Sequence, residues 1–432
     1  MEKSQEEDLL ILLKGGITPA TGCTEPIAVA YAVAKAKEQT LGNLEYIKVQ
    51  VDSNIYKNGL MVTIPGTKEK GLIAAAAFGF LAGKTEKGFQ VIEGLTDEDI
   101  KKARQLIKQN KITIILNRDF KGLHIEVNLF TDQDKIRVIV LDSHLNVVKI
   151  EIIDKHSQFK PFRGERQDFN SSNHFIQEYS LDDFLQFITK APQEKLAFLE
   201  DGVMMNLKIA QEGLKIKSGV AATLTNLIHE ELMTDNMISR AQILCAAASE
   251  ARMSGSKLPV MSTAGSGNHG ITAFLTNYAV AEKQQLPTEK LIRSLALTHL
   301  ITLFIKSYTG TLSAMCGCGV AAGTGASAGV VYLLGGNKEQ ILGALYNMVG
   351  SISGVICDGA KDGCAYKLAL ASGWAVQSAL LSIKGAIINK NDGIVEADFK
   401  KLFKNLGYIC DPGMVPTDKA ILKIMLKKHR II

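Results

Sequence analysis

The sequence is short of proline, with 9 among 432 residues, and carries a single tryptophan. It also lacks a charge excess. Its 49 basic and 44 acidic side chains leave a net +5 that is dispersed along the chain, so nucleic acid is not an expected partner. The 38 glycines have no three-residue period, which excludes a collagen-like rod. With 46% hydrophobic residues the chain is not disordered either. The acidic start, Met1 to Asp8, has no basic region and no apolar run behind it, so no secretory signal is read there. Seven cysteines, an odd number spread thinly, do not make a disulfide scaffold, and a reducing cytoplasm is expected.

One stretch tests that reading. Ser307 to Asn337 contains no Asp, Glu, Lys or Arg, long enough to cross a bilayer. It is built of Gly, Ala, Ser and Thr, however, and is strongly apolar only at Val330 to Leu334. No second comparable run exists and the mean hydropathy is +0.09, so a buried helix pair is expected instead of a membrane span.

Periodicity divides the chain. A short helix over 7–14 is followed by a Gly/Thr/Cys loop and an Ala-rich helix over 27–40. Strand-like alternation marks 45–51, 60–64, 112–116, 124–131, 136–142 and 146–153, with helices over 71–82 and 97–109 between them. A polar stretch, 155–180, reads as a linker. From 181 to 388 the pattern is almost continuously helical, with small residues on every face of 319–334. The expected architecture is α+β: a large all-helical cluster-binding domain over 181–432, an inserted α+β domain over 41–160, and residues 1–40 as a loop and helix packed on the helical domain.

Chemistry concentrates in four Gly-rich loops. Thr21-Gly-Cys-Thr-Glu-Pro26 places Cys23 at a helix N-terminus, where the dipole favours thiolate. Met261 to Gly270 holds Ser, Thr, Asn and His269 among three glycines before a helix, an anion nest suited to a carboxylate or phosphate. Leu312 to Gly319 carries Cys316 and Cys318, and Val355 to Cys364 carries Cys357 and Cys364. The last two loops together supply four thiols. A zinc site is one reading, but the paired Cys-x2-Cys knuckles usual for zinc are absent. An iron–sulfur cluster on three thiolates with an open iron is the other. Asp358 and Lys361 lie between two of these cysteines as either supporting groups or turn residues. Cys245, in an apolar helix face, reads as packing.

The segments Thr-Gly-Cys-Thr-Glu-Pro-Ile-Ala at 21–28, Ser-Asn-Ile-Tyr-Lys-Asn-Gly at 53–59, Ala-Gly-Ser-Gly-Asn-His-Gly at 264–270, Cys-Gly-Cys-Gly-Val-Ala-Ala-Gly-Thr-Gly at 316–325 and Ile-Cys-Asp-Gly-Ala-Lys-Asp-Gly-Cys at 356–364 resemble the L-cysteine desulfidase family. That family is related to the α-chain of iron–sulfur L-serine dehydratases. The resemblance spans nearly the whole chain in the same motif order. It implies a PLP-independent lyase with a [4Fe–4S] cluster that converts L-cysteine to pyruvate, ammonia and sulfide, with an L-serine dehydratase as the alternative.

By position, the resemblance makes Cys357 and Cys364 cluster ligands, with a third from the Cys316/Cys318 pair, aligned with Cys316. Cys23 is either a fourth ligand displaced by substrate or a base, and His269 is a second candidate base. Thr24, Glu25, Asn54, Ser266, Gly267 and Asn268 are candidate substrate contacts. The implied partner is a small amino acid, without nucleic acid or membrane, in a possible homodimer. A non-catalytic iron–sulfur sensor of amino acids is the competing class.

Overall fold

Apolar and polar residues alternate in strand-like runs between residues 44 and 154, and in the computed structural model this segment forms a five-stranded sheet with one apolar face. Residues 3–120, 122–160, 162 and 175–428 are described. The first part contains α1 (Lys3–Gly16), β1 (Pro19–Ala20), α2 (Thr24–Lys37), β2 (Leu44–Val51), α3 (Ser53–Gly59), α4 (Gly71–Ala82), α5 (Asp97–Lys108), β3 (Ile112–Leu116), β4 (His124–Thr131), β5 (Asp134–Leu141) and β6 (Val147–Asp154). The second is helical: α6 (Leu181–Lys190), α7 (Gln193–Leu196), α8 (Phe198–Gly213), α9 (Val220–His229), α10 (Met237–Met253), β7 (Val260–Met261), α11 (Gly267–Gln284), α12 (Thr288–Thr309), α13 (Gly323–Leu333), α14 (Lys338–Ile352), α15 (Cys364–Ile383), α16 (Phe399–Tyr408) and α17 (Val415–Lys428). The protein is α+β, a helical unit beside a smaller sheet-containing one. Half of the proposed linker 155–180 lies outside the described residues; at its end Ile176–Glu178 form a short helical turn, and Ile176 and Tyr179 are buried in the helical core, so that end is packed structure and not linker.

The sheet order is β3-β2-β4-β5-β6. Only β2 and β3 are parallel, and the crossover between them contains α3, α4 and α5, as a parallel connection requires. Ile47, Val49, Val51, Ile125, Val127, Leu129, Ile136, Val138 and Val140 lie on one face, under α2 and α4. Lys48, Gln50, Glu126, Asn128 and Arg137 alternate onto the other. A Cβ at Gly79 of α4 would lie 2.2 Å from the carbonyl oxygen of Ala30 in α2, so the two helices approach as closely as their glycine and alanines permit.

Two large hydrophobic cores and three small clusters result among the described residues, and the chain enters each of the large ones more than once. Leu9 and Leu13 of α1 join the helical core. Ile27, Val29 and Val33 of α2 join the sheet core instead. This divides the segment 1–40 that was expected to pack as one piece on the helical domain. The reason is composition: 11 of the 14 residues of α2 are buried, so no polar face commits it to one neighbour. At the other end, Leu422 and Leu426 of α17 also enter the sheet core, and buried Lys57 of α3 pairs with Asp418.

Local signals explain the remaining differences. Residues 60–64 do not form a strand; Thr63 alone pairs, in an isolated bridge to Lys70. The preceding segment is helical because the Asp52 carboxylate caps α3, accepting from the backbone N–H of Asn54 (2.7 Å) and Ile55 (3.2 Å). The helix expected from Ile271 begins at Gly267, which moves His269 from loop to first helical turn. No helix among the described residues is long and apolar enough to cross a membrane, and the uncharged stretch is largely buried as α13 and its approach.

Candidate active site

Short backbone pairings gather the four loops. Pro19 and Ala20 pair antiparallel with Met261 and Val260. The pairing continues as Ser262 N–H to the Thr18 carbonyl (2.8 Å) and Ala264 N–H to the Gly16 carbonyl (2.9 Å). The Cys23 loop is thereby fixed to the start of α11. Arg252 of α10, 3% exposed, adds a second tie: it donates to the Gly22 carbonyl and to Asn268 Oδ1 (2.8 Å). Gly22 has φ +73°, and a Cβ there would lie 2.2 Å from Pro65, so glycine is required just before Cys23.

The two cysteine loops are joined in the same way. Met315 and Ile356 form an antiparallel bridge; Cys316 N–H bonds the Val355 carbonyl (2.8 Å) and Cys357 N–H the Ala314 carbonyl (2.6 Å). This places Cys316 beside Cys357. Cys364 opens α15, one short turn further on, and Cys318 opens a π-helical turn, Cys318–Ala322. The Asp358 carboxylate, held at about 2 against its burial by Lys361 and Lys367, clamps the turn between Cys357 and Cys364. Asp358 and Lys361 therefore shape the loop.

Cys316, Cys318, Cys357 and Cys364 all line one cavity, together with Cys23 and His269. The Cys316 thiol is lowered to about 6, chiefly by the hydrogen bond from Cys318, whose own thiol that bond and burial push up. Burial also raises Cys357 and Cys364, the latter to about 11. No group of three or more His, Cys, Asp or Glu among the described residues is placed to hold a single metal ion. A mononuclear zinc site needs all its sulfurs about 2.3 Å from one centre. A cubane cluster, by contrast, distributes its thiolates over separate irons, so four thiols that line one cavity are compatible with it without converging on a single point.

Cys23 differs from expectation. It is the N-cap of α2, but burial and the neighbouring Glu25 carboxylate raise its thiol well above the ordinary range and outweigh the helix dipole. The thiol donates to Glu25 Oε2 (2.9 Å). Burial alone would raise Glu25; the adjacent His144 and bonds from Cys23 and Asn58 (2.9 Å) hold it below its ordinary value. The pair is a thiol and a carboxylate.

His269 is neutral. Burial, with Lys306 nearby, lowers it to about 3. Its Nδ1 lies 3.2 Å from the Thr263 carbonyl, which can only accept, so the proton is on Nδ1 and Nε2 carries the lone pair. Thr263 is in turn bonded through Oγ1 to buried His299 Nδ1 (2.9 Å).

Of the proposed substrate contacts, Thr24, Glu25, Ser266 and Asn268 line the cavity. Gly267 instead faces Val260 and Arg252, and Asn54 is absent from the cavity wall; Asn58, one turn further along α3, lines it. Sequence reasoning also missed His144, Arg252, Lys306 and Lys367, which share this wall. His144 comes from the turn between β5 and β6, so the sheet unit contributes to the site. Asn58 had a signal, since it belongs to the quoted 53–59 segment, and the Asp52 cap fixes which helical face it occupies. Cys245 is fully buried in the helical core, with its thiol raised to about 12, and lies outside the cavity lining.

Fold and site define a class: an α+β protein with a small-molecule cavity lined by thiols at the junction of its two units. Residues 86–423 match the family described as serine dehydratase alpha chain, and the chain belongs to that family. This membership points to a lyase-type activity. The sequence is 45% identical to a UPF0597 protein of Clostridium tetani over 98% of this chain and 99% of the relative. It is 42% identical to UPF0597 protein TTE0269 of Caldanaerobacter subterraneus subsp. tengcongensis, over 98% of this chain and 100% of the relative. A UPF0597 protein of Desulfatibacillum aliphaticivorans is also 42% identical, over 96% of each.

Proposed function

We propose that this protein is a β-eliminating lyase that holds a [4Fe–4S] cluster and converts L-cysteine to pyruvate, ammonia and sulfide. The observation that carries the reading is the lining of one cavity by Cys316, Cys318, Cys357, Cys364, Cys23 and His269. Cys316, Cys357 and Cys364 are the ligands assigned to the cluster. When bound, it supplies an open iron as a Lewis acid for the leaving group.

The chain's own residues account for the rest. His269 Nε2, unprotonated at neutral pH, accepts the α-proton. Ser266 caps α11 without a side-chain bond, which leaves first-turn N–H groups for the substrate carboxylate. The Cα–H electron pair becomes the Cα=Cβ bond as the C–S pair departs with sulfur. Cys23 holds a proton on the Glu25 side of the cavity. The aminoacrylate then hydrolyses to pyruvate and ammonia. The step is redox-neutral, and a thiol-lined cluster site suits a reducing cytoplasm.

The family description favours L-serine as a second substrate by the same chemistry. The test is anaerobic reconstitution, iron and sulfide analysis, and assay of pyruvate from L-cysteine beside L-serine. Four irons per chain with sulfide released from cysteine is the expected result. Pyruvate from serine alone moves the assignment to a dehydratase. A bound cluster with neither product replaces the lyase with an amino-acid sensor.

A further inference from the structure

Three cations line the thiol cavity: Arg252, Lys306 and Lys367. Arg252 is engaged by the Gly22 carbonyl and Asn268. Lys367 is engaged by Asp358 and the Ile356 carbonyl (2.8 Å). Lys306 differs from both. Among the described residues it forms no ion pair, and its ammonium donates to the Thr311 carbonyl at 3.2 Å. The side chain leaves α12 inward, into the wall between the thiol cavity and a second cavity lined by Leu12, Phe89 and Leu303. Burial lowers the ammonium below its ordinary range, while nearby thiols oppose that shift. Lys306 is half-buried, and an amine cation drawn part-way from water without a carboxylate is favoured by a ligand that supplies the anion.

Two further polar groups face the same wall. One is the N-terminus of α11, whose Ser266 makes no side-chain cap bond. The other is His144, 3% exposed, whose Nε2 has no hydrogen-bond partner. A Cβ at Gly265 would lie 3.7 Å from the His144 ring, so the imidazole stands directly over the approach to α11. The sole carboxylate lining the cavity among the described residues is Glu25, and its oxygens already accept from Cys23, Thr24 and Asn58.

We propose that Lys306 is the counter-ion for the α-carboxylate of the amino-acid substrate and sets the requirement for a carboxylate in any ligand of this cavity. His144 and the first turn of α11 complete the acceptor's surroundings. The assignment rests on the amino-acid reading of the site but not on turnover or on the bound cluster. It makes the amine of decarboxylated substrate a non-ligand, because that amine would meet Lys306 as a like charge.

The test is calorimetric binding of L-alanine, which has no leaving group, and of ethylamine, its decarboxylated form. Both are measured on iron-free and on reconstituted protein, for wild type and Lys306→Met. The expected result is binding of L-alanine and not of ethylamine by wild type, with L-alanine weakened roughly 10- to 100-fold in Lys306→Met, as loss of a charge-assisted bond predicts. On the reconstituted enzyme the KM should rise by a similar factor, with kcat within a few-fold and iron content unchanged. L-alanine binding equal in variant and wild type, or absent in wild type, overturns the proposal. So does lost iron with undiminished L-alanine binding, which would make Lys306 a counter-charge to the thiolates alone. If Lys306→Met does not fold, Lys306→Gln is read by the same criteria. Failure of pyruvate formation from both amino acids would remove the lyase reading and leave the calorimetric result standing.

Discussion

A Cβ on Gly317 would lie 2.3 Å from Nε2 of His269. The glycine between Cys316 and Cys318 therefore exists to admit the imidazole, and it lets the thiol loop and the candidate base share one cavity wall. Its backbone, at φ −62°, is ordinary for any residue, so the effect of substitution is confined to the contact. Gly317→Ala should displace the ring and lower kcat about 100-fold or more. Iron content should be retained, at a stability cost of about 1–3 kcal/mol. Unchanged turnover would remove His269 from the reaction.

The thiols divide into two sets that iron analysis separates. Cys357→Ser and Cys364→Ser should each lower bound iron after anaerobic reconstitution, because each removes a thiolate from the cavity. Cys245→Ala should keep full iron and lose about 1 kcal/mol, the order expected for a small buried truncation. Equal iron in all three variants would contradict the cluster assignment.

Arg252 joins two loops that are distant in sequence. Arg252→Leu leaves the Gly22 carbonyl and Asn268 Oδ1 without their donor, and should cost about 3 kcal/mol. Activity should fall with it, since the Cys23 loop loses its tie to α11. Urea unfolding together with kcat measures both effects; a stable, fully active variant would show the tie to be dispensable.

Asp52 supplies a pH dependence. Burial raises its carboxyl from 3.8 to about 6, against the bonds it accepts from His124, Asn54 and Ile55. A folded-state value above the unfolded one means the native state holds the proton more tightly. The stabilisation is full below the unfolded value and is lost as pH rises through about 6. Between pH 4 and pH 7 the stability of Asp52→Asn should rise relative to wild type, by up to about 3 kcal/mol. Parallel denaturation curves across that range would show the carboxyl to be unperturbed.

Much of this was legible in the residues. Strong alternation marked β2 to β6, and the Gly-rich loops marked the thiols because such loops let backbone approach closely. What stayed hidden depends on tertiary contacts. Lys306 lies in a helix whose sequence shows no sign that this side chain points inward. Cys23 carried the local mark of a thiolate, but a carboxylate two residues away and complete burial reverse it. The Ala-rich α2 gave no directional signal, so its allegiance to the sheet core could not be read from its own residues.

The path of the chain has a consequence for synthesis. Leu422 and Leu426 fill the core of a sheet whose strands end at Asp154, and Asp418 pairs with buried Lys57. These residues leave the ribosome long after the strands do. The sheet unit therefore waits for residues made much later before its interior closes, and a nascent chain stalled before residue 418 carries an unsealed apolar face. Folding of that unit is completed only once α17 is available, and a truncation that removes α17 is felt first in the sheet unit, far from the cut in sequence.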